Sequence, residues 1–392
     1  MVGRSQSSHV HAGKTSLYTT IKARLYPTAE QAELFEKTFG CCRFIWNRML
    51  SDQQKFYDET GAHFIPTPAK YKDGAPFLKE VDNQALIQTH NQLSQAFRIF
   101  FKNPEHFGHP RFKRKKDGRD AFTACNHVFS SGPTIYLTRD GIRMTKAGVV
   151  KAKFPRRPRN GWKLKRITVS KTRTGTYNCS IVFEYPAPAP QPIPPTPERT
   201  IGLKYSVSHF YVADNGAMAD PPHWLKLTQE KLARLQQRMA RMTPGSQNYK
   251  EAVQKYRLLH EHIANQRRDY IHKESRRIAN AWDAVCVRAD DLADGNRAMK
   301  LSNGLELGFG MFRACLDYKL SRQGKSLLMV ERCAPTSRQC HSCGYLLPEG
   351  VDYRREQWRC PACGAALQRE INAAQNIKTA GLRQVLTTQK SA

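Results

Sequence analysis

The sequence predicts an α/β-plus-β protein in two parts: an N-terminal small β-barrel with a helical insertion, and a C-terminal α/β domain with a zinc ribbon inserted before its last helix. Three observations carry this. A proline-rich run, PAPAPQPIPPTPERT at 186–200, divides the chain and reads as a polyproline-type linker. From about 121 to 185, short alternating strands and turn residues follow one another without helices, the pattern of a small barrel. Near the C-terminus two Cys-x2-Cys pairs, Cys340/Cys343 and Cys360/Cys363, have the spacing of a four-thiolate metal site.

Composition narrows the class. At 392 residues the chain is long for one core and fits two or three domains. It is 40% hydrophobic and 24% charged, as a soluble globular protein is. It has no apolar run of about 18 residues and no signal-peptide pattern, so a cytoplasmic protein without a membrane partner is expected. The 63 Lys and Arg against 33 Asp and Glu leave a formal charge of +30. Such an excess repels itself unless a polyanion neutralises it, which makes nucleic acid the expected partner. Eleven cysteines, four of them in close pairs, fit a reduced protein with one metal site rather than a disulfide framework.

In chain order, residues 1–16 are polar and expected to be disordered. Ile21, Ala23 and Leu25 alternate with basic residues as in a strand. Pro27-Thr28 then starts a helix, with Thr28 as N-cap and Gln31 at the capping-box position. The periodic residues Leu34, Phe35, Phe39, Phe44, Ile45, Met49 and Leu50 predict a helical pair broken near Gly40. A second helix is expected over roughly 82–103, placing the insertion at about 28–118 of a barrel domain spanning 17–185. In GHPRFKRKKD, the cations Arg111, Lys113, Arg114, Lys115 and Lys116 surround Phe112, a composition suited to a phosphate backbone. Arg43 is a further candidate contact. TIYLTRDGIRMT reads as a hairpin around Asp140-Gly141, and KRITVSKTRTGTYNCSIVFEY as another turning at Gly175.

The C-terminal half opens on RTIGLKYSVSHFYVADNG, a hairpin followed by an Asp-Asn-Gly turn. A long helical hairpin is expected over about 226–280, broken at Pro244-Gly245, whose second arm offers Arg267, Arg268 and Lys273 to nucleic acid. AVCVRADDL reads as a buried strand ending in acids, FGMFRACLDYKLSRQG as a helix and SLLMVERCAP as a strand. LQREINAAQNIKTAGL is an amphipathic helix with small residues on one face. The α/β domain thus covers 201–332 and 365–382, the ribbon 333–364 and a tail 383–392.

Sixteen residues separate the two cysteine pairs, and each pair is followed by glycine, in CHSCG and CPACG. Two such knuckles bring four thiolates onto one structural Zn²⁺. With all four positions filled, no open site for catalysis remains, and His341 is not needed as a ligand.

Taken together, the segments KARLYPTAEQAELFEKTFGCCRFIWNRML, GHPRFKRKKD, IGLKYSVSHFYVADNG, RADDL, APTSRQCHSCG, WRCPACG and REINAAQNI resemble, in order and spacing, the TnpB family of RNA-guided nucleases, from about residue 17 to 382. The resemblance implies a RuvC-type, RNase H-like C-terminal fold. It implies an N-terminal half that holds guide RNA and reads a short motif beside a double-stranded DNA target, with base pairing reading the rest. It also implies three carboxylates holding two Mg²⁺ ions. Here those positions fall on Lys204, Asp290 and Gln368, with Asp291 and Glu370 as neighbouring acids. An ammonium at the first position opposes a divalent cation, so Mg²⁺ is not expected to bind productively, and Lys204 and Asp290 are expected to pair. The chain is therefore expected not to be an enzyme. It resembles the nuclease-dead TnpB-like repressors, which bind DNA by guide pairing and block transcription. Two alternatives stand beside this: an active endonuclease whose metal is held by Asp290, Asp291 and Glu370 or by Asp214, and a zinc-ribbon DNA-binding accessory of a transposon that uses no RNA. A bacterial, nucleoid-associated monomer is expected, with a dimer as the alternative.

Overall fold

A computed structural model describes residues 15–118, 120–206, 209–220, 224–289, 308–332, 334–348 and 356–390. The chain forms two compact units, 1–189 and 190–392.

In the first unit, strand β1 (Thr15–Tyr26) leads into helix α1 (Ala29–Thr60). The capping box forms as the sequence predicts: the Gln31 backbone N–H donates to Thr28 Oγ1 at 3.3 Å, and the Thr28 N–H donates to Gln31 Oε1 at 3.1 Å. The predicted break at Gly40 does not occur; α1 runs through it as one helix. A glycine inside a helix costs about 1 kcal/mol, and burial of Phe39, Cys41, Cys42 and Ile45 around it outweighs that. Helix α2 (Asn83–Lys102) is capped by Asp82, whose side chain accepts from the Gln84 N–H. The remaining strands are β2 (Asp120–Cys125), β3 (Val128–Phe129), β4 (Gly132–Pro133), β5 (Tyr136–Leu137), β6 (Gly141–Met144), β7 (Gly148–Lys153), β8 (Lys163–Lys171) and β9 (Tyr177–Ala187).

Seven of these strands make one antiparallel sheet in the order β2-β8-β9-β1-β7-β6-β5, and both predicted hairpins, β5–β6 and β8–β9, are in it. The expected barrel is thus an open half-barrel among the described residues, ending at β2 and β5. β5 is two residues long and carries no ladder onward. Period-two alternation places Ile21, Ala23, Leu25, Ile167, Val169, Cys179, Ile181 and Phe183 in one core with Phe35, Ile45 and Met49 of α1 and Leu86, Leu93 and Phe97 of α2. Thr15 and Ser16, expected to be disordered, lie in β1 opposite Ala187 and Pro186 of β9.

The proline run is shorter and better anchored than the linker expected at 186–200. β9 extends to Ala187, and Ile193 donates its N–H to Gly324 O at 2.8 Å. The second unit comprises β10 (Thr200–Tyr205), β11 (Tyr211–Ala213), β12 (Met218–Ala219), α3 (Trp224–Ala240), α4 (Gln247–Ala281), β13 (Ala284–Arg288), α5 (Phe309–Ser321), β14 (Ser326–Val330), β15 (Gln357–Arg359), β16 (Ala366–Gln368) and α6 (Arg369–Lys390). Helices α3 and α4 are the predicted hairpin, broken at Pro244-Gly245 with Ser246 capping α4. Five strands form a sheet in the order β12-β11-β10-β13-β14, in which β10, β13 and β14 pair in parallel and β11 runs antiparallel to both its neighbours, β10 and β12.

Alternation along β10 decides what faces what. Ile201 and Leu203 enter a core with Tyr211, Ile271, Ile278, Phe312 and Leu316, on the side of α4 and α5. Gly202 and Lys204 therefore face the opposite side, where α6 lies. The approach there is close: a Cβ at Gly202 would run into the carbonyl oxygen of Ala374 and stand 2.8 Å from Lys378 Cβ. One at Gly381 would stand 2.5 Å from Cys286 Sγ. The small residues seen in the sequence are what let α6 seat on the sheet.

Candidate functional site

The face of β10 against α6 gathers a chain of charged pairs. Two residues along a strand advance about 6.7 Å and four along a helix about 6 Å, so alternate β10 residues meet successive turns of α6. Gly202 lies under Ala374, and Lys204 meets Glu370 one turn earlier, its Nζ 3.1 Å from Oε1. The other carboxylate oxygen, Oε2, accepts from Ser206 Oγ at 3.1 Å. Arg369 Nη2 stands 3.8 Å from Glu370 Oε1. Burial alone would raise the Glu370 carboxyl, but Lys204, Ser206 and Arg369 reverse this and hold it below the ordinary glutamate value. In the turn after β11, Asp214 is occupied in the same way. Its Oδ1 accepts from the Gly202 N–H at 2.9 Å and its Oδ2 pairs with Lys378 Nζ at 3.0 Å.

These contacts bear on two sequence expectations. Lys204 pairs with Glu370; its expected partner Asp290, with Asp291, lies outside the described residues. Gln368 does not reach the centre. It ends strand β16, paired with Gln357, and is exposed. The helix begins one residue later, so the acid presented to β10 is Glu370, on the first turn. Which acid faces the strand depends on the phase of that turn, which the order of residues does not reveal.

The four cysteines converge. Cys340 Sγ and Cys363 Sγ are 3.8 Å apart, Cys343 Sγ and Cys360 Sγ 3.6 Å, and all four sulfurs lie within 4.8 Å of one another. A tetrahedron with Zn–S bonds of about 2.3 Å has edges of ~3.8 Å, so the set fits a zinc-sized ion. Each knuckle closes on a glycine at positive φ, Gly344 at 79° and Gly364 at 72°, whose N–H donates to the carbonyl of the first cysteine of its pair at 2.9 Å.

Two residues that sequence reasoning did not single out join this ribbon to α6. Asn372 accepts from the His341 N–H and donates to Gln339 O, both at 2.8 Å. Asn376 donates to Thr336 O at 2.9 Å and to Gln339 O at 2.7 Å. Both amides are buried, one helical turn apart. The available signal was a pair of asparagines at i and i+4 among buried alanines, where a polar side chain needs a partner.

In the first unit the basic segment is held against α1. Trp46 Nε1 donates to Arg111 O at 2.9 Å, and Asn47 exchanges hydrogen bonds with the Lys113 backbone at 2.8 and 3.0 Å. Lys113 Nζ lies 3.6 Å from the centroid of the Trp46 ring, and burial lowers its pKa. Arg43 pairs with Asp120 at 2.5 Å. A groove of about 520 Å³ is lined by Arg43, Arg111, Lys113, Arg114 and Arg173, with Asp117 and Asp120. Arg114, Lys115 and Lys116 are exposed. On α4, Arg268 and Lys273 are exposed, Lys273 paired with Asp269 at 2.7 Å; Arg267 is half-buried, with its Cδ 3.3 Å from where a Cβ on Gly308 would stand. No helix among the described residues is long and apolar enough to cross a membrane.

Three family models match the chain. They are "Helix-turn-helix domain" of the OrfB/IS605 type over 17–62, "Probable transposase" of OrfB/IS605 over 180–296, and "Cas12f1-like, TNB domain" over 309–377. A Streptomyces pristinaespiralis protein named "Putative RNA-guided DNA endonuclease" is 28% identical over 379 residues, covering 92% of this chain and 89% of the relative. The chain belongs to the TnpB/IS605 family. The Escherichia coli K12 family member InsQ, which carries the same endonuclease name, is 28% identical over 384 residues, covering 92% of this chain and 91% of its own. A cryo-EM structure of a Cas12f1-sgRNA-target DNA complex shares the fold, with a TM-score of 0.59 at 12% identity over 93% of this chain and 99% of that one. The names of these TnpB relatives overturn the expectation that the chain is not an enzyme. Carboxylates do survive on the β10–α6 face, in Glu370 and Asp214, and Lys204 does not remove them.

Proposed function

We propose that this chain is an RNA-guided DNA-binding protein whose main output is prolonged occupancy of a double-stranded target. A guide RNA selects the target by base pairing beside a short flanking motif, and at a promoter such occupancy represses transcription. The net charge of +30, the TnpB family and the relatives' names support guided binding. The sheet order β12-β11-β10-β13-β14 supports a RuvC-type core.

The observation that carries the emphasis on occupancy is the seating of Lys204 on Glu370 at 3.1 Å. Two unit charges at 4 Å interact by about 4 kcal/mol at an effective dielectric of ~20, so an ammonium opposes a divalent cation by about twice that. Both oxygens of Glu370 and both of Asp214 already accept from protein donors. Among the described residues this donor set does not fit a two-Mg²⁺ centre, and on this reading hydrolysis is slow against release of the target. Strand cutting, the activity in the relatives' names, is that slow step.

The test recovers and sequences RNA bound to the purified chain. It then follows release and cutting of a matched DNA in Mg²⁺. A discrete RNA, guide-dependent binding and release that outpaces cutting are expected. Lys204→Asp should speed cutting. If the unaltered chain cuts most of its bound target before releasing it, occupancy is not its output. If no discrete RNA is recovered, guided binding fails.

A further inference from the structure

The hairpin β3–β4 stands out from the first unit by what it leaves in water. Val128 is 76% exposed and Phe129 62% exposed, more than the other exposed large apolar residues of the unit's described strands, such as Tyr18 at 51% and Val149 at 51%. Strand pairing sets Val128 opposite Pro133 and Phe129 opposite Gly132, with Ser130-Ser131 at the tip. The neck below is tightly bonded. Asn126 Oδ1 accepts from the Ile135 N–H at 2.9 Å and from Thr134 Oγ1 at 3.2 Å. Asn126 also donates through Nδ2 to Leu164 O at 3.1 Å and through its N–H to Lys165 O at 2.7 Å. His127 and Thr134 bond each other twice, at 2.8 and 3.0 Å. The Phe129 ring lies over the His127 ring, centroids 6.3 Å apart and planes 28° apart.

A stiff neck thus carries an aromatic ring backed by imidazole and otherwise open to solvent. Beside the neck, β8 presents the exposed cations Lys163, Lys165 and Arg166, with Lys165 also bound to Glu184 at 3.2 Å. We propose that Phe129 is a stacking platform for one unpaired nucleobase at a strand end or junction of bound nucleic acid, with these cations on the flanking phosphates. Two side chains offer far less than the roughly 800 Å² per partner that a stable protein contact needs. One ring face is what a base requires, and the charge of the chain draws polyanions to it. The inference rests on the nucleic-acid reading above and adds a site to it.

The test uses the full chain and two pairs of oligonucleotides, one pair RNA and one DNA. Each pair comprises a hairpin with 2-aminopurine at an unpaired 3′ end and a blunt hairpin with 2-aminopurine inside the stem. On binding, quenching of the unpaired fluorophore is expected. Phe129→Ala should remove that quenching and weaken binding of the overhang form about tenfold, leaving the blunt form unchanged, while Phe129→Trp should retain both properties. The pair that responds identifies RNA or DNA as the source of the base. Binding of the blunt form without any Phe129-dependent change on the overhang overturns the platform alone. So does an equal loss on both forms, or a change in sedimentation with quenching untouched. Failure of the unaltered chain to bind either form overturns the nucleic-acid reading itself.

Discussion

Gly202→Ala tests the packing that builds the β10–α6 centre. The added methyl would run into Ala374 O and stand 2.8 Å from Lys378 Cβ and 2.9 Å from Lys378 N. The first and last of these are backbone atoms, so no side-chain rotation clears them, and α6 must lift by roughly 1 Å. A gap of that size forfeits a quarter to a half of the dispersion energy across a packed surface. The surface concerned holds Ala373, Ala374 and Ile377, all fully buried. We expect a loss of about 3 kcal/mol, the upper end of overpacking costs. For a unit of roughly 200 residues this lowers Tm by about 6–12 °C. Lys204 and Glu370 are separated by the same displacement, so the Glu370 carboxyl should return toward its ordinary value. Thermal melts of the full chain, with carboxylate titration by NMR, measure both effects. A Gly202→Ala chain that melts within about 1 °C of the parent would refute the close seating of α6.

Three further outcomes are expected. The Glu370 carboxyl is held below its ordinary value when folded, so the pair stabilises the chain above the usual carboxylate range and loses that contribution as pH falls through the lowered value. Lys204→Met should remove this dependence from an acid-unfolding profile and cost about 1–2 kcal/mol at neutral pH, because a largely buried carboxylate loses its cation. Mass spectrometry of the native chain should find one metal ion, lost in Cys340→Ser; Asn376→Ala should keep the ion yet speed proteolysis of the ribbon, since only its tether to α6 is cut. Arg114→Glu with Lys116→Glu should weaken nucleic-acid binding and flatten the slope of log K against log salt by about 0.9 for each phosphate left without its cation; an unchanged slope would remove this segment from the interface.

The elements that the sequence revealed were those with local signatures. Thr28 and Gln31 made the start of α1 readable, Pro244-Gly245 the break between α3 and α4, and the two knuckles the thiolate cluster. Apolar alternation along β10 was equally plain, because a half-buried strand must show it. What stayed hidden depended on partners distant in the chain. Gly40 reads as a breaker until the buried residues on either side of it are counted. That Lys204 also meets Glu370 was not readable, because strand order does not say which turn of α6 lies opposite. Arg111, Lys113, Arg114, Lys115 and Lys116 were read together as suited to a phosphate backbone; that Lys113 lies over Trp46 comes only from the fold of 110–117 back onto α1. The segment with Asn372 and Asn376 was visible as a family pattern, but its work, donating to the carbonyls of another loop, was not.

The two asparagines have a wider consequence. Asn372 and Glu370 sit on the same turn of α6, so a rotation of that turn that releases Gln339 also withdraws the carboxylate from Lys204. The loop that carries Cys340 and Cys343 and the Lys204–Glu370 pair therefore take their positions from one turn of α6, and a substitution that shifts that turn disturbs both.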